Sequence, residues 1–183
     1  MQKLSGPINT HAFISYARAH KPFEQAYNLA TKLYAKRKRE HTGIKYISHP
    51  STVASLLLEY ELHPDTMVAA VLEETLALTT LKASTLETLF GAQVLDLVKA
   101  LTPPMHEGAG LRLAHGQALR AAGYQAQTVK IVSLLDHVVS IPSNKLAASA
   151  QRLDDFVALL PYLEGGNQQL LARFKAALRR AAA

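Results

Sequence analysis

Pro64-Asp65-Thr66-Met67-Val68-Ala69-Ala70-Val71-Leu72-Glu73-Glu74 is the stretch on which the reading of this 183-residue chain turns. Proline suits the first turn of a helix, and Asp65 sets a carboxylate where the helix dipole favours one. Six apolar residues follow without a break, and then two glutamates stand side by side. Buried carboxylates cost free energy unless they are paired, protonated or bound to a metal. Adjacent helical positions diverge by about 100°, so one of the two can face solvent. Two readings stay open at this point, a metal site and a structural salt bridge, with Lys130 as one available cation.

Helical signals continue on both sides. Pro22 suits a first turn, and Phe23, Ala26, Tyr27, Ala30, Leu33 and Tyr34 recur at helical spacing. Pro50 opens a helix carrying Val53, Ala54, Leu57 and Leu58. Ser84-Thr85-Leu86-Glu87 reads as a capping box, Gly91 stops that helix, and Ala92 to Leu101 forms the next. Thr102-Pro103-Pro104 ends it, and His106 to Gly110 reads as a flexible loop. Leu111 to Ala122 and Gln125 to Ser140 are two further helices. Pro142-Ser143-Asn144 is a turn, Leu146, Leu153, Phe156, Val157 and Leu160 mark the helix after it, and Asn167 caps a last one. No alternating strand pattern and no repeat is present, and the first twenty residues are the least readable. The expected architecture is all-α, with residues 1–21 as an N-terminal extension and 22–183 as one compact multi-helix domain.

Composition narrows the function classes. The hydrophobic fraction of 49% can fill a sizeable core, and the absence of cysteine excludes disulfides, thiolate catalysis and Cys-based zinc sites. No secretory signal and no bilayer-length apolar run is visible, so the expectation is a cytoplasmic protein without a membrane partner. A net charge of +6 favours anionic partners. The charge is concentrated at Lys36-Arg37-Lys38-Arg39 and at Arg173, Lys175, Arg179 and Arg180. Only Phe174 is aromatic within these clusters, which argues against nucleic acid as the partner. The sequence leaves a homo-oligomer open.

Three phrases taken together resemble one family. Gly43-Ile44-Lys45-Tyr46-Ile47-Ser48-His49-Pro50 is similar to the G-x-P-Y-I-x-H-P phrase of the HD-domain alarmone hydrolases, the RelA/SpoT homologues that remove the 3'-pyrophosphate from (p)ppGpp. Ala69 to Thr79 falls where that family has A-A-L-L-H-D-x-V-E-D-T. Val129 to His137 falls where it has V-K-L-A-D-[KR]-L-x-N. Phe90-Gly91-Ala92-Gln93-Val94 and Gly166-Asn167-Gln168-Gln169-Leu170 hold the same register, and the likeness runs from about residue 22 to 180.

The resemblance implies an HD-type helical fold and a site of a first His, a His-Asp pair and a later Asp around one manganese ion, with a following Glu-Asp pair acting on the attacking water. A divalent metal lowers the pKa of bound water and neutralises phosphate charge, and a nearby carboxylate manages the proton. Onto this chain the metal positions map as His49, Glu73, Glu74 and Ser133, with Asp136, one turn beyond Ser133, as a substitute ligand. Ala77 and Leu78 stand where the acid-base pair would be, so no catalytic residue can be named. Nucleotide contacts fall on Arg37, Lys38, Arg39, Tyr46 and His137. Read residue by residue, the chain is expected to be a pseudoenzyme that binds a guanine nucleotide or another phosphorylated small molecule. Its cofactor is Mn2+ or another divalent metal, or none. The alternative is an active metal-dependent nucleotide phosphohydrolase with a rearranged acidic site. His49 beside Pro50 also has a plain reading, a hydrogen bond at a helix start.

Overall fold

A computed structural model describes residues 10–103 and 109–182. Their helices, in chain order, are α1 (Thr10–Ala19), α2 (Lys21–Leu33), α3 (Ser48–Leu57), α4 (Pro64–Leu72), α5 (Thr75–Leu78), α6 (Ala83–Phe90), α7 (Ala92–Leu101), α8 (Ala109–Ala121), α9 (Gly123–Val139), α10 (Ala150–Leu159) and α11 (Gln168–Ala182). Short 3-10 turns at Ser143–Lys145, Ala147–Ser149 and Leu160–Tyr162 flank α10. No strand occurs among the described residues; one isolated antiparallel bridge pairs Lys38 with Lys45. The all-α expectation therefore holds. No described helix is long and apolar enough to cross a membrane.

Two helices carry the centre. Every residue of α4 from Thr66 to Leu72 is buried, as an apolar run with no polar face demands. Every residue of α9 from Ala126 to Asp136 is buried too. Helix α9 packs against α3, α4, α7, α8 and α11, while α2 and α3 cover α4. Helix α11 lays Leu170, Leu171, Phe174, Ala177 and Leu178 inward, a helical stripe, and ends in the basic Arg179 and Arg180. The turn before it comes close to α9: a Cβ on Gly166 would lie 2.7 Å from Ile131 Cδ1 and 3.2 Å from the Gln127 carbonyl carbon, so a larger residue there would have to push Ile131 aside.

Local signals explain most boundaries. Pro22 and Pro64 sit in the first turns of α2 and α4, and His63 accepts from Asp65 N–H at 3.3 Å to cap the latter. Asn167 Oδ1 accepts from Leu170 N–H at 3.1 Å, capping α11. The capping box expected at Ser84 to Glu87 does not form. Helix α6 begins one residue before Ser84, with Lys82 at the cap and no side-chain cap bond, so Ser84 lies inside the first turn. The N-terminal segment is also more regular than its sequence suggests: α1 packs on α2 and α3 and buries Phe13 edge-on to Phe23, with ring centroids 5.4 Å apart. Of the loop expected at His106 to Gly110, Ala109 and Gly110 already belong to α8, and residues 106–108, His106 included, lie outside the described residues.

Candidate functional site

The site forms where α4 stops. Glu73 still has helical angles (φ −43°, ψ −49°), but Glu74 does not (φ −106°, ψ 8°), and α5 restarts at Thr75. Hydroxyls hold the interruption: Thr75 Oγ1 donates to Leu72 O at 2.7 Å, and Thr102 Oγ1 shares its one proton between Glu73 O at 2.8 Å and Val98 O at 2.6 Å. These bonds satisfy carbonyls that a helix end leaves open. The interruption turns the two neighbouring carboxylates in different directions.

Glu73 points into the core. Its Oε1 accepts from Lys130 Nζ at 2.6 Å and from Ser133 Oγ at 2.9 Å. Lys130 also donates to Leu101 O at 2.9 Å. Both side chains of the pair are 3% exposed. Residues 130 and 133 share one face of α9, so a single helix supplies both partners. This is the structural salt bridge that the sequence held open. Glu73 Oε2 is buried without a hydrogen bond.

Glu74 faces a cavity. Tyr46 donates its hydroxyl to Glu74 Oε2. His137 Nε2 lies 3.5 Å from Glu74 Oε1, and His49 Nε2 lies 3.9 Å from Glu74 Oε2. The two imidazoles are neighbours, with ring centroids 4.2 Å apart. Burial opposes the charge on Glu74, but the bond to His137 and the positive field of His137, His49 and Lys130 win and hold its carboxyl well below the usual range. Burial and the charge of His49 push His137 down, against the pull of Glu74. Burial raises the Tyr46 hydroxyl, and Glu74 raises it further, so it stays a donor.

Asp136 serves His49 from behind. Its Oδ2 lies 2.6 Å from His49 Nδ1 and accepts from the Arg39 guanidinium at 2.7 Å. Arg39 is itself buried. Burial would lower the His49 pKa, but the bond to Asp136 and the charges of Glu74 and Asp136 overcome it and raise the imidazole. The Asp136 carboxyl is lowered, because His49 and Arg39 outweigh its burial.

Beside these groups opens a cavity of about 430 Å3, within the usual range for small-molecule sites. Arg37, Lys38, Arg112 and Arg152 bring positive charge to its wall, offset in part by Glu40, Glu74 and Asp155; Arg112 pairs with Asp155 at 3.5 Å, and Lys130, also in the wall, is paired with Glu73. Tyr46, His115, His137, Leu78 and Phe156 line it as well. Gly43, at φ +70°, closes the turn that carries the basic run, with Gly43 N–H donating to Arg39 O at 2.9 Å. Arg152 reaches across to Glu40 at 2.7 Å.

Of the metal positions read from sequence, His49 and Glu74 come together. Glu73 accepts from both Ser133 and Lys130, and Asp136 turns to His49 Nδ1 and Arg39. Of the nucleotide positions, Arg37, Lys38, Arg39, Tyr46 and His137 all line the cavity, with Arg39 engaged by Asp136. Leu78, at one acid-base position, contributes hydrocarbon to the wall. Two features were not read from sequence. His137 stands with His49 and Glu74 as a potential metal-binding cluster, its donor atoms all within 4.8 Å of one another. His115, buried in the wall, has an Nε2 without a hydrogen bond, and no local motif signals it.

The donor set fits a divalent cation on one specific count. His49 is 3% exposed, and its Nε2 has no hydrogen-bond partner although its ring is fixed from the Nδ1 side. Such an arrangement, carboxylate to imidazole to open nitrogen, is the one found behind metal-bound histidines.

Residues 26–131 match the sequence model of the HD domain. No curated protein sequence matches the chain. Among solved structures, the chain is similar to one described as a metazoan ortholog of SpoT that hydrolyzes ppGpp and plays a role in starvation responses. The two share 18% identity at a TM-score of 0.73, over 87% of this chain and 94% of the other.

Proposed function

The chain belongs to the HD-domain family, and within it we propose that this protein binds a phosphorylated guanine nucleotide of the ppGpp class, with hydrolysis of that nucleotide impaired. The carrying observation is the cavity wall, where Arg37, Lys38, Arg112 and Arg152 share one space with Tyr46 and His137. Arginine and lysine are the side chains that recognise phosphate, arginine by bidentate bonds and lysine as a point charge. The structural relative described as hydrolysing ppGpp supplies the substrate class.

Impairment rests on Ala77 and Leu78. Neither can take or give a proton, and such help is worth roughly a hundredfold to ten-thousandfold. Glu73 is bound to Lys130 and Ser133 and is unavailable to replace them. In this reading Arg37, Lys38, Arg112 and Arg152 bind the phosphates, and Leu78 excludes water from one side of the wall. HD domains typically depend on divalent metals; here His49, Glu74 and His137 would hold the ion, which neutralises phosphate charge when bound.

Calorimetric titration with ppGpp, beside a pyrophosphate-release assay in manganese and in zinc, tests the reading. Binding that weakens as salt rises, with no release above the uncatalysed rate, is expected. Release at an enzymatic rate removes the impairment, and no binding at low salt removes the nucleotide. A second reading, an active phosphohydrolase with a rearranged acidic site, is favoured by the Glu74–His137 pair, since an ionised carboxylate beside an imidazole can carry a proton. Release that Glu74→Gln abolishes is its signature.

A further inference from the structure

The three donors around the orphaned His49 Nε2 also say which ion they fit, an inference that rests on the metal part of the reading above. Two of the four metal positions implied by resemblance are occupied by other work. Ser133 and Lys130 both donate to Glu73 Oε1, at 2.9 and 2.6 Å. An ammonium at that distance already neutralises the carboxylate, so Glu73 has little charge left to offer a cation. Glu74, by contrast, has no lysine or arginine bonded to it among the described residues; its neighbours there are Tyr46, His49 and His137.

We infer that this chain has a relocated metal centre made of His49 Nε2, the Glu74 carboxylate and His137 Nε2, selective for zinc-like borderline cations over manganese and magnesium. His137 is the recruited ligand. Its ring lies within 4.2 Å of the His49 ring, and its Nε2 faces Glu74 Oε1 at 3.5 Å. Bonds of about 2.0–2.1 Å to a tetrahedral ion put ligand atoms roughly 3.3 Å apart. The observed separations are 3.5 Å from His137 Nε2 to Glu74 Oε1 and 3.9 Å from His49 Nε2 to Glu74 Oε2, and one donor atom from each of the three residues lies within 4.8 Å of the others, so binding an ion draws them together by up to about 1.5 Å.

Each ligand is held from outside the group. Asp136 fixes His49 through Nδ1, and Arg39 fixes Asp136. Tyr46 fixes Glu74 by its hydroxyl. Outer partners of this kind orient ligands and raise their basicity. The fourth side opens on the basic cavity, whose wall includes Glu74 and His137. Three protein ligands with one open position is the pattern of a reactive zinc site, whereas structural sites close all four.

Selectivity follows from the donor types. Imidazole suits zinc, copper, iron and nickel, while carboxylate, carbonyl and water suit magnesium and manganese. Removing Glu73 and Ser133 from the donor set and adding His137 leaves two imidazoles to one carboxylate. The general order of divalent affinities also runs upward from manganese through cobalt to zinc.

The proposal does not depend on the nucleotide reading, and its test contains no nucleotide. The chelator-treated full chain is titrated with zinc, cobalt(II) and manganese by calorimetry, with cobalt also followed by its visible absorption. One zinc per chain is expected, bound at least about tenfold more tightly than manganese. His137→Asn and Glu74→Gln should each weaken zinc by more than roughly 100-fold, since losing even an outer partner costs about 10–100-fold. Ser133→Ala should leave zinc affinity unchanged, because its hydroxyl serves Glu73. Circular dichroism of the metal-free variants checks that they fold. X-ray absorption at the zinc edge of the unaltered protein counts imidazoles without any variant, and two are expected. No zinc binding, manganese as tight as zinc, His137→Asn binding like the unaltered chain, or fewer than two imidazoles each overturns the proposal.

Discussion

Glu73 and Glu74 are consecutive in the chain and opposite in circumstance. Glu73 is locked in the core to Lys130, 3% exposed, with its charge cancelled by an ammonium. Glu74 is turned to a cavity, with imidazoles and a phenol for neighbours. A two-residue interruption between α4 and α5, Glu73 and Glu74 themselves, produces the difference. The lesson is that a pair of carboxylates in one motif need not share a role. One can stabilise a fold conditionally while the other stays available for chemistry.

The sharpest way to break the contrast is to remove one member of the buried pair. Lys130→Met or Glu73→Leu alone strands a charge in the core and should cost about 3–5 kcal/mol. For a chain of this size that is a fall in Tm of roughly 6–20 °C. The double variant replaces the pair by hydrocarbon and should recover most of the loss, because buried ion pairs are often matched by well-packed apolar residues. Urea unfolding of the three variants measures both effects. A double variant as unstable as the singles would give the pair an energetic role beyond mutual compensation.

His115 feels the charge of the same lysine. Burial and the nearby Lys130 charge push its pKa down to about 4 from 6.5, against the carbonyls of Leu101 and Ala100. The folded value lies below the unfolded one, so the unfolded chain binds the extra proton. His115 therefore adds nothing unfavourable above about pH 6.5, and stability falls as pH drops from there towards 4. The loss reaches up to about 3 kcal/mol. Unfolding free energies measured between pH 4 and 7 should show this slope, and His115→Phe should flatten it. An unchanged slope in the variant assigns the acid sensitivity to other groups.

The fold was largely legible because its signals are local. Pro22, Pro64 and Asn167 each mark a helix start that forms, and the unbroken run from Met67 to Leu72 could only be buried. The exceptions are instructive. Ser84 carried a capping pattern but sits inside the first turn, since α6 begins before it. Helix α1 draws its order from tertiary contacts of Phe13 with Phe23 and Tyr27, which no local pattern announces. At the site, spacing correctly brought Asp136 inward, one turn after Ser133. It could not tell that Asp136 would meet Nδ1 of His49 and not its open nitrogen. His137 was legible as a cavity residue, but its approach to Glu74 depends on where α4 breaks. That break is held by hydroxyls from Thr75 and from Thr102, the residue that follows α7.

Asp136 allows the cavity side of the contrast to be graded. Asp136→Asn keeps the size of the side chain but removes the charge behind His49 and the partner of Arg39. Zinc affinity should fall by about 10–100-fold, the usual cost of an altered outer partner. Lys130→Met should change zinc affinity much less, because its ammonium bonds Glu73 and Leu101 O. Competition with a colorimetric chelator reads both. Equal losses in the two variants would mean that the core and cavity sides act as one unit.

The smallest stability effect is expected at the cavity rim. Arg152 and Glu40 form an ion pair at 2.7 Å, but their side chains are 45% and 64% exposed. Water screens such a pair, and ordering two long side chains costs entropy, so exposed pairs are worth about 0–1 kcal/mol. Arg152→Ala should therefore leave the unfolding midpoint nearly unchanged. Its effect on an anionic ligand runs the other way. The guanidinium stands in the cavity wall with Arg37, Lys38 and Arg112, and a phosphate entering there meets a fork of donors that alanine lacks. Arg152→Ala should weaken ppGpp binding several-fold and flatten its salt dependence, whereas Glu40→Gln, which frees Arg152 from its partner, should strengthen it. If both variants bind equally, Arg152 belongs with Glu73 and Lys130 as a structural charge, and the cavity side of the molecule ends at His137.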